Sequence, residues 1–565
     1  MKPVDPRQVE MALWPQGTRT LAHVVEQIGA DTNLSDTRRR DMISGMRRLA
    51  KAMDRSLAEV PADPSWLQPR LAGLMPAALG ISQKTLQNAI SDTRAALAHV
   101  GIIKRRKNHI DALSPAWRDL WRAVLISRDK SLTTGLGRFI HFLSNLGVAP
   151  KDVTQAHAAA FLTALQAEEI HKRPEKSWRS GIWAWNLAVD RINGWPSIRL
   201  DLPGRQNVVT LPDQALPPEF VEDLTSVMER FAQPDPWGDD SGARPLRPAT
   251  VKQNTRMLKR FASELLAAGE PARAIISVAA LCEPARAERG LRAMTARNGN
   301  KINSVISDMA SILQSCARRL DVDEAALAGL RRLSKRVAKP QQKGMTSKNR
   351  ARLRPLQDPT TLRRLLDLPE ALFAKARKMS EPKAGLARED AVAIGILLVC
   401  PLRIGNLAAI HIDRHLQRPG SGRLFCVIEE SEVKNGRPLE FELPRDVRRM
   451  VDAHLASRSP RMCPSGTPWL FPRRDGTASV NPHSLSTRLS KRIRREIGLA
   501  MNPHLFRHLA AMIWLTANPG AYEAARRLLG HSTVSTTINV YAGLEGQAAL
   551  KAYGEVLQRK RGARS

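Results

Sequence analysis

The chain has 565 residues, with 88 Lys and Arg against 54 Asp and Glu, for a net charge of +34. That length allows about three to five domains, and a 43% hydrophobic content is ordinary enough to give each a core. Positive charge spread over the whole chain points to a polyanionic partner, nucleic acid before an anionic membrane. The cysteines (Cys282, Cys316, Cys400, Cys426 and Cys463) are odd in number and none has C-x-x-C spacing. This argues against a disulfide framework and against a zinc module, and fits a reducing, cytosolic compartment. Met1 to Pro6 has no apolar core of signal-peptide length. The longest apolar run, Ala391 to Cys400, is too short to span a bilayer and reads as a buried helix.

Helical periodicity dominates. Met42, Ile43, Met46, Leu49, Ala50 and Met53 share one helical face. After a Pro-rich break from Pro61 to Pro76, a second helix is expected from about Ser82 to Val100. The basic run Lys104-Arg105-Arg106-Lys107 closes a first helical module, residues 1–108.

The pattern recurs in a second module, residues 109–215. It holds a stripe of Leu132, Leu136, Phe139, Ile140 and Leu143, a segment Val153 to Leu165, and a Trp-rich helix from about Ser177 to Ile192. Trp178, Trp183 and Trp185 are expected in the core rather than as base-stacking platforms, because they stand at helical spacing. A third module, residues 216–338, follows a Pro, Gly and Asp-rich loop at Pro234 to Pro248. Thr250 is expected to cap its first basic helix, and Ile302, Val305, Ile306, Met309, Ile312, Leu313 and Cys316 stripe a later one. The three modules read as one idea repeated at about a hundred residues, without strong residue identity.

Residues 339–357 read as a basic linker, a solvated tether that can also track phosphates. Residues 358–565 form the last domain. A capped helix at Asp358 to Leu366 and a buried helix at Arg388 to Cys400 come first. Strands at Leu424 to Glu429 and Leu439 to Leu443 follow, joined by the hairpin signal Lys434-Asn435-Gly436-Arg437. Helices resume from Pro482. The fold class expected is mainly α, helical DNA-binding modules followed by a mostly helical domain with a small antiparallel sheet.

The last domain concentrates chemistry. Asn502-Pro503-His504-Leu505-Phe506-Arg507-His508 puts His504 and Arg507 on one helical face. His531 follows Gly530, where a helix should stop. Tyr541 lies ten residues further, and Arg403 follows a buried helix and a proline. Cutting a phosphodiester without a metal needs donors for the non-bridging oxygens, a nucleophile, and an acid for the leaving oxygen. Arg403 and Arg507 suit the first task, because guanidinium is planar and always charged. His504 can accept or relay a tyrosine proton, and His531 can donate to phosphate. Lys434 in a turn can protonate the leaving oxygen. A metal site at His504 and His508 is disfavoured, since H-E-x-x-H would need Glu where Leu505 stands, and His508 reads as a structural helix residue. Tyr522 and Tyr553 read as packing residues. No metal or other cofactor is expected.

These pieces resemble the catalytic signature of the tyrosine recombinase (phage integrase) family, over roughly Asp358 to Leu550. The resemblance implies that 358–565 is a catalytic domain with a C-terminal tail helix, and that 216–338 is similar to the family's core-binding domain. It assigns catalytic roles to Arg403, Lys434, His504, Arg507, His531 and Tyr541. The implied reaction cuts DNA through a 3′-phosphotyrosine and rejoins it, in a homotetramer on two double-stranded sites, for integration or excision of a mobile element. Sister recombinases or accessory factors could join it, no membrane is involved, and the setting is cytoplasmic, with the nucleoid. Three departures stand out: Asn406 where the family often has a carboxylate, a His531-to-Tyr541 spacing one residue longer than in many members, and a long N-terminal extension. A type IB topoisomerase-like strand transferase, a silent DNA-binding protein and an RNA-binding protein are the alternatives. The last lacks aromatic recognition motifs.

Overall fold

The computed structural model describes residues 6–104, 109–170, 173–202, 209–233, 245–339, 344–420, 422–433, 436–460, 463–464, 466–541 and 546–562. The basic residues Arg105 to Lys107, most of the loop after Pro234, and Lys434 and Asn435 lie outside them. The fold is mainly α, with one three-stranded antiparallel sheet. Among the described residues no helix is long and apolar enough to cross a membrane. The chain divides into two compact units, Leu202–Gln342 and the remainder, Met1–Asp201 with Lys343–Ser565.

The Leu202–Gln342 unit is a helical bundle around Phe220, Phe231, Phe261, Leu265, Leu291 and Leu313. Its helix Pro248–Ala267 starts before the expected Thr250 cap. Pro248 occupies the first turn, where its fixed φ is already helical and its missing N–H costs nothing. Helix Ser304–Arg319 is capped by Asn303, so Ile302, expected in its apolar stripe, stands outside the helix and is exposed.

In the other unit, the first two modules each pair two long helices through a glycine. Asp36–Ala52 crosses Gln83–His99 where Gly45 meets Ala89 and Asp92. Lys130–Asn145 crosses Pro174–Arg191 where Gly135 meets Ser180 and Ala184. At both crossings a Cβ on the glycine would collide with the facing helix, so only glycine lets the backbones approach this closely. The first two modules therefore repeat one crossing. Trp185 and Trp178 are in the core, each donating its indole N–H to a backbone carbonyl at 2.7 Å, whereas Trp183 is exposed. The two modules also touch: the buried Gln68 amide donates to the carbonyl of Glu169 at 2.7 Å.

Residues 345–541 share a third core. The segment expected as a tether enters it through Met345, Leu353 and Leu356, with a helix at Ser347–Leu353. Three spaced apolar side chains among many basic ones give no periodic signal, yet they suffice to anchor a short helix. The buried helix runs Lys383–Val399, five residues longer at its start than expected, and it carries Glu389 and Asp390 inside. Asp390 is paid for by Arg488 and Arg492 at 2.8 and 2.7 Å. The sheet orders β1 (Leu416–Gln417), β2 (Phe425–Ile428) and β3 (Leu439–Glu442), with Cys426 opposite Phe441 and Ile428 opposite Leu439. β1 is too short to show a period in sequence.

Candidate active site

Arg403 is placed by the end of the buried helix. Cys400, Pro401 and Leu402 turn the chain inside the core, and Arg403 becomes the N-cap of the short helix Ile404–Ala408. More than a hundred residues on, Asn502 caps the helix Pro503–Ala517 by accepting from the Leu505 N–H at 3.1 Å. One turn of that helix brings His504, Arg507 and His508 to a common face. Arg507 is buried. It donates to the Pro401 carbonyl at 2.6 Å and to the Leu529 carbonyl at 2.5 Å, so its guanidinium plane is fixed against both the Arg403 turn and the His531 turn. Burial first, then the charge of Arg403, lowers its pKa to about 10, which leaves it charged at neutral pH.

Gly530 ends the helix Tyr522–Leu529 in the left-handed conformation, φ +57°. A Cβ there would lie 2.7 Å from Leu439 Cδ2, so the turn that presents His531 is packed on β3, and its positive φ favours glycine. His531 Nδ1 is 3.0 Å from the buried Thr537 hydroxyl, and its ring lies parallel to that of Tyr541, centroids 6.3 Å apart. The Thr-rich stretch between them is a helix, Val534–Tyr541.

Tyr541 is only 2% exposed. Its hydroxyl is 3.0 Å from His508 Nδ1. Burial pushes the phenol up to about 12, against a smaller downward pull from Arg507. His508 is held near 4 by burial, then by His504, Arg507 and His531. His531 is likewise held near 4, by burial, then Arg507 and Arg403. His504 presents an exposed edge to solvent while its base is crowded by protein. That crowding, then Arg507 and Arg403, keeps its pKa below the ordinary histidine range. All three imidazoles are therefore neutral at neutral pH in the free protein.

The structure thus assembles Arg507, His508, His531 and Tyr541, with His504 and Arg403 adjoining; Lys434 lies outside the described residues. The root of its turn is visible. The Gly436 N–H donates to the Val433 carbonyl at 3.0 Å, and the Asn406 amide donates to the Glu432 carbonyl at 3.1 Å. The Glu432 carboxylate meets His415 Nε2 at 2.8 Å. Asn406, at the position where a carboxylate was noted as usual, faces a carbonyl, and only a donor can bond there.

His508, expected as a structural helix residue, is also the side chain that touches the tyrosine hydroxyl. It follows Arg507 directly and is four residues from His504, but nothing local shows that Tyr541 folds back onto it. Asn349, from the expected linker, lies 3.5 Å from His508 Nε2 and was equally invisible. Tyr553, read as a packing residue, is 61% exposed on the helix Gly546–Gly562, whereas Tyr522 packs against the core. Among the described residues there is no cluster of His, Cys, Asp and Glu suited to a metal ion.

Residues 370–547 match the model of the phage integrase family. The chain is 28% identical over 204 residues to tyrosine recombinase XerC of Bradyrhizobium diazoefficiens, covering 34% of this chain and 60% of that protein. It is 24% identical over 286 residues to XerC of Azotobacter vinelandii, covering 45% and 88%. With XerD of Rhizobium meliloti it shares 28% identity over 167 residues, covering 29% and 50%. The chain thus spans between half and nine-tenths of the length of these curated relatives. Among solved structures, XerH recombinase bound to difH substrate aligns with a TM-score of 0.31 and 12% identity, covering 60% of this chain and 96% of that one. The Tn1549 transposon integrase with right-end DNA aligns at 0.34 and 14%, covering 59% and 99%. Residues 370–547, about a third of the chain, are thus a phage integrase family domain.

Proposed function

We propose that the chain is a site-specific DNA recombinase, an integrase that cuts and rejoins duplex DNA for a mobile element. The observation that carries the reading is the buried Tyr541 hydroxyl on His508 Nδ1, beside a guanidinium pinned by two carbonyls. In the proposed reaction Arg403 and Arg507 hold the non-bridging oxygens of the scissile phosphate, with His504 and His531 as further donors. The Tyr541 oxygen forms a bond to phosphorus as its proton passes to His508. The bond from phosphorus to the 5′-oxygen breaks, and Lys434 supplies the proton that makes a free 5′-hydroxyl. The phosphotyrosine stores the bond energy, and attack by a partner strand's 5′-hydroxyl reverses the steps, with no metal or nucleotide consumed.

A net charge of +34 supports DNA as the partner. The helix Gly546–Gly562 leaves Tyr553, Val556 and Leu557 exposed, which supports a tail that docks on a neighbouring subunit in a tetramer on two sites. Sister recombinases or accessory factors would engage the same assembly, inside the cell with the nucleoid. The test is covalent trapping on nicked, labelled duplexes made from the ends of the flanking genomic element. The wild type should give a protein-linked band that Tyr541→Phe abolishes. A band that persists in Tyr541→Phe overturns the assignment of the nucleophile. Tight binding without a band in either protein overturns catalysis in favour of a silent DNA-binding protein.

A further inference from the structure

The helix Asp36–Ala52 lies far in sequence from the family-matched segment, and its outer face is unusual. Its inner face, Met42, Gly45, Met46, Leu49 and Ala50, is buried against Gln83–His99, and Ser35 caps its start. The helix is therefore held rigidly. The outward face lines a groove of about 580 Å³ with Arg39, Arg40, Ile43, Ser44, Arg47 and Arg48. At about 100° per residue, Arg40, Arg47 and Lys51 project within about 40° of one another, a line about 16 Å long, with Arg39 and Arg48 flanking it.

These charges are not spent inside the protein. Arg39 is paired with Asp36, and Arg38, off the stripe, with Asp92. Among the described residues the side chains of Arg40, Arg47, Arg48 and Lys51 have no ion pair or hydrogen bond. The one carboxylate in the groove, Asp36, is neutralised by Arg39.

We infer that this stripe is a second nucleic-acid site, which grips the phosphate backbone of duplex DNA outside the catalytic site. Guanidinium-rich lines fit phosphate oxygens in pairs. Arg40 stands about 12 Å along the axis from Arg48, with Arg47 beside it, which matches a major groove about 12 Å wide. Arg40 can therefore take a phosphate on one wall and Arg47 and Arg48 on the other, with the small Ser44 and the half-buried Ile43 between. A membrane is the weaker fit, because the apolar side of this helix is spent in the core and offers nothing to insert. Single-stranded nucleic acid is also weaker, since no aromatic ring lies on the stripe for bases to stack on.

The test compares the full-length wild type with the triple variant Arg40→Ala, Arg47→Ala, Lys51→Ala. Binding is measured by anisotropy to a mixed-sequence duplex of about 40 base pairs over a range of salt. Each lost phosphate contact removes about 0.9 from the slope of log affinity against log salt. The triple variant should therefore lose about 2.7 in slope and bind at least about tenfold more weakly near 150 mM salt. The charge-keeping variant Arg40→Lys, Arg47→Lys, Lys51→Arg should keep the slope, and melting curves confirm folding of both. An unchanged slope in the alanine variant overturns the inference. So does an equal loss on a single-stranded oligonucleotide, or a loss confined to anionic phosphatidylserine vesicles. The recombinase reading is tested separately: a wild type that forms no covalent complex would overturn that reading and leave this comparison standing.

Discussion

Replacing His508 by Asn separates proton transfer from packing. His508 Nδ1 lies 3.0 Å from the Tyr541 hydroxyl, and its ring, held near pKa 4, is neutral at pH 7.5 and able to accept a proton. With the phenol raised to about 12, forming a free phenolate at pH 7.5 costs about 6 kcal/mol. The charge of a bound phosphate offsets the guanidiniums that hold His508 down and so raises its basicity, and a base in contact with the hydroxyl then takes the proton while the bond to phosphorus forms, an effect of about 10²-fold or more. Asn can still bond the hydroxyl but cannot accept its proton. His508→Asn should therefore melt close to the wild type and form covalent complex about 10²-fold more slowly or worse. Its rate should climb about tenfold per pH unit from pH 7 to 10, as hydroxide takes over the proton. His508→Ala is less informative, because it also orphans a buried hydroxyl at about 1–3 kcal/mol. The assay is single-turnover formation of protein-linked DNA on a nicked duplex across that pH range. A His508→Asn rate within threefold of the wild type, with the same pH profile, refutes the assignment and returns the proton to His504.

Two further outcomes follow from the same geometry. Asn406→Asp sets a carboxylate against the Glu432 carbonyl, loses the 3.1 Å bond that anchors the root of the Lys434 turn, and should slow cleavage. A substrate with sulfur in place of the bridging 5′-oxygen needs no acid to expel its leaving group, so it should restore the rate of Asn406→Asp but not of His508→Asn; no restoration would show that Asn406 does not act through Lys434. Acid should also unfold the domain from within. His454 is buried and held near 3, by burial first and then by Arg458, Arg388 and Arg488. The unfolded chain takes up a proton below its ordinary pKa of about 6.5 while the folded one does not, so stability falls as pH drops from that value towards 3. His454→Leu should flatten the fall of melting temperature over this window, and an unchanged slope would assign the acid sensitivity to other groups.

The candidate site residues were legible because each proposed task demands a side-chain type and the motif holds them at short spacing. Arg507, His531 and Tyr541 need only a capped helix, a glycine stop and one more helix, and all three signals are local. What sequence could not show is what touches what. His508 becomes more than a helix residue only when the Val534–Tyr541 helix folds back, and Asn349 enters only because a segment with a linker's composition hides three core side chains. The start of Pro248–Ala267 was misread because a proline and a threonine two residues apart are both good openings, and the proline came first.

The position of Tyr541 sets a condition on cutting. At 2% exposure its hydroxyl cannot meet the phosphate of a duplex, which is too hydrated and too highly charged to enter the core. The tyrosine must therefore come out, and His508 can take its proton only where the two meet again on the DNA. The helix that carries it is weakly held: of its eight residues only Thr537 and Tyr541 are buried, and Ile538 faces solvent. Releasing a tyrosine side chain costs about 2–3 kcal/mol, and giving up its hydroxyl's bond to His508 costs about 1 kcal/mol more. That total is within reach of one compensating contact. Within the proposed reading such a contact is available nearby, because the following helix carries Tyr553, Val556 and Leu557 uncovered. A neighbour that covers them would draw on the same chain that must move, so docking of the tail and exposure of the nucleophile would be coupled by about the same few kcal/mol.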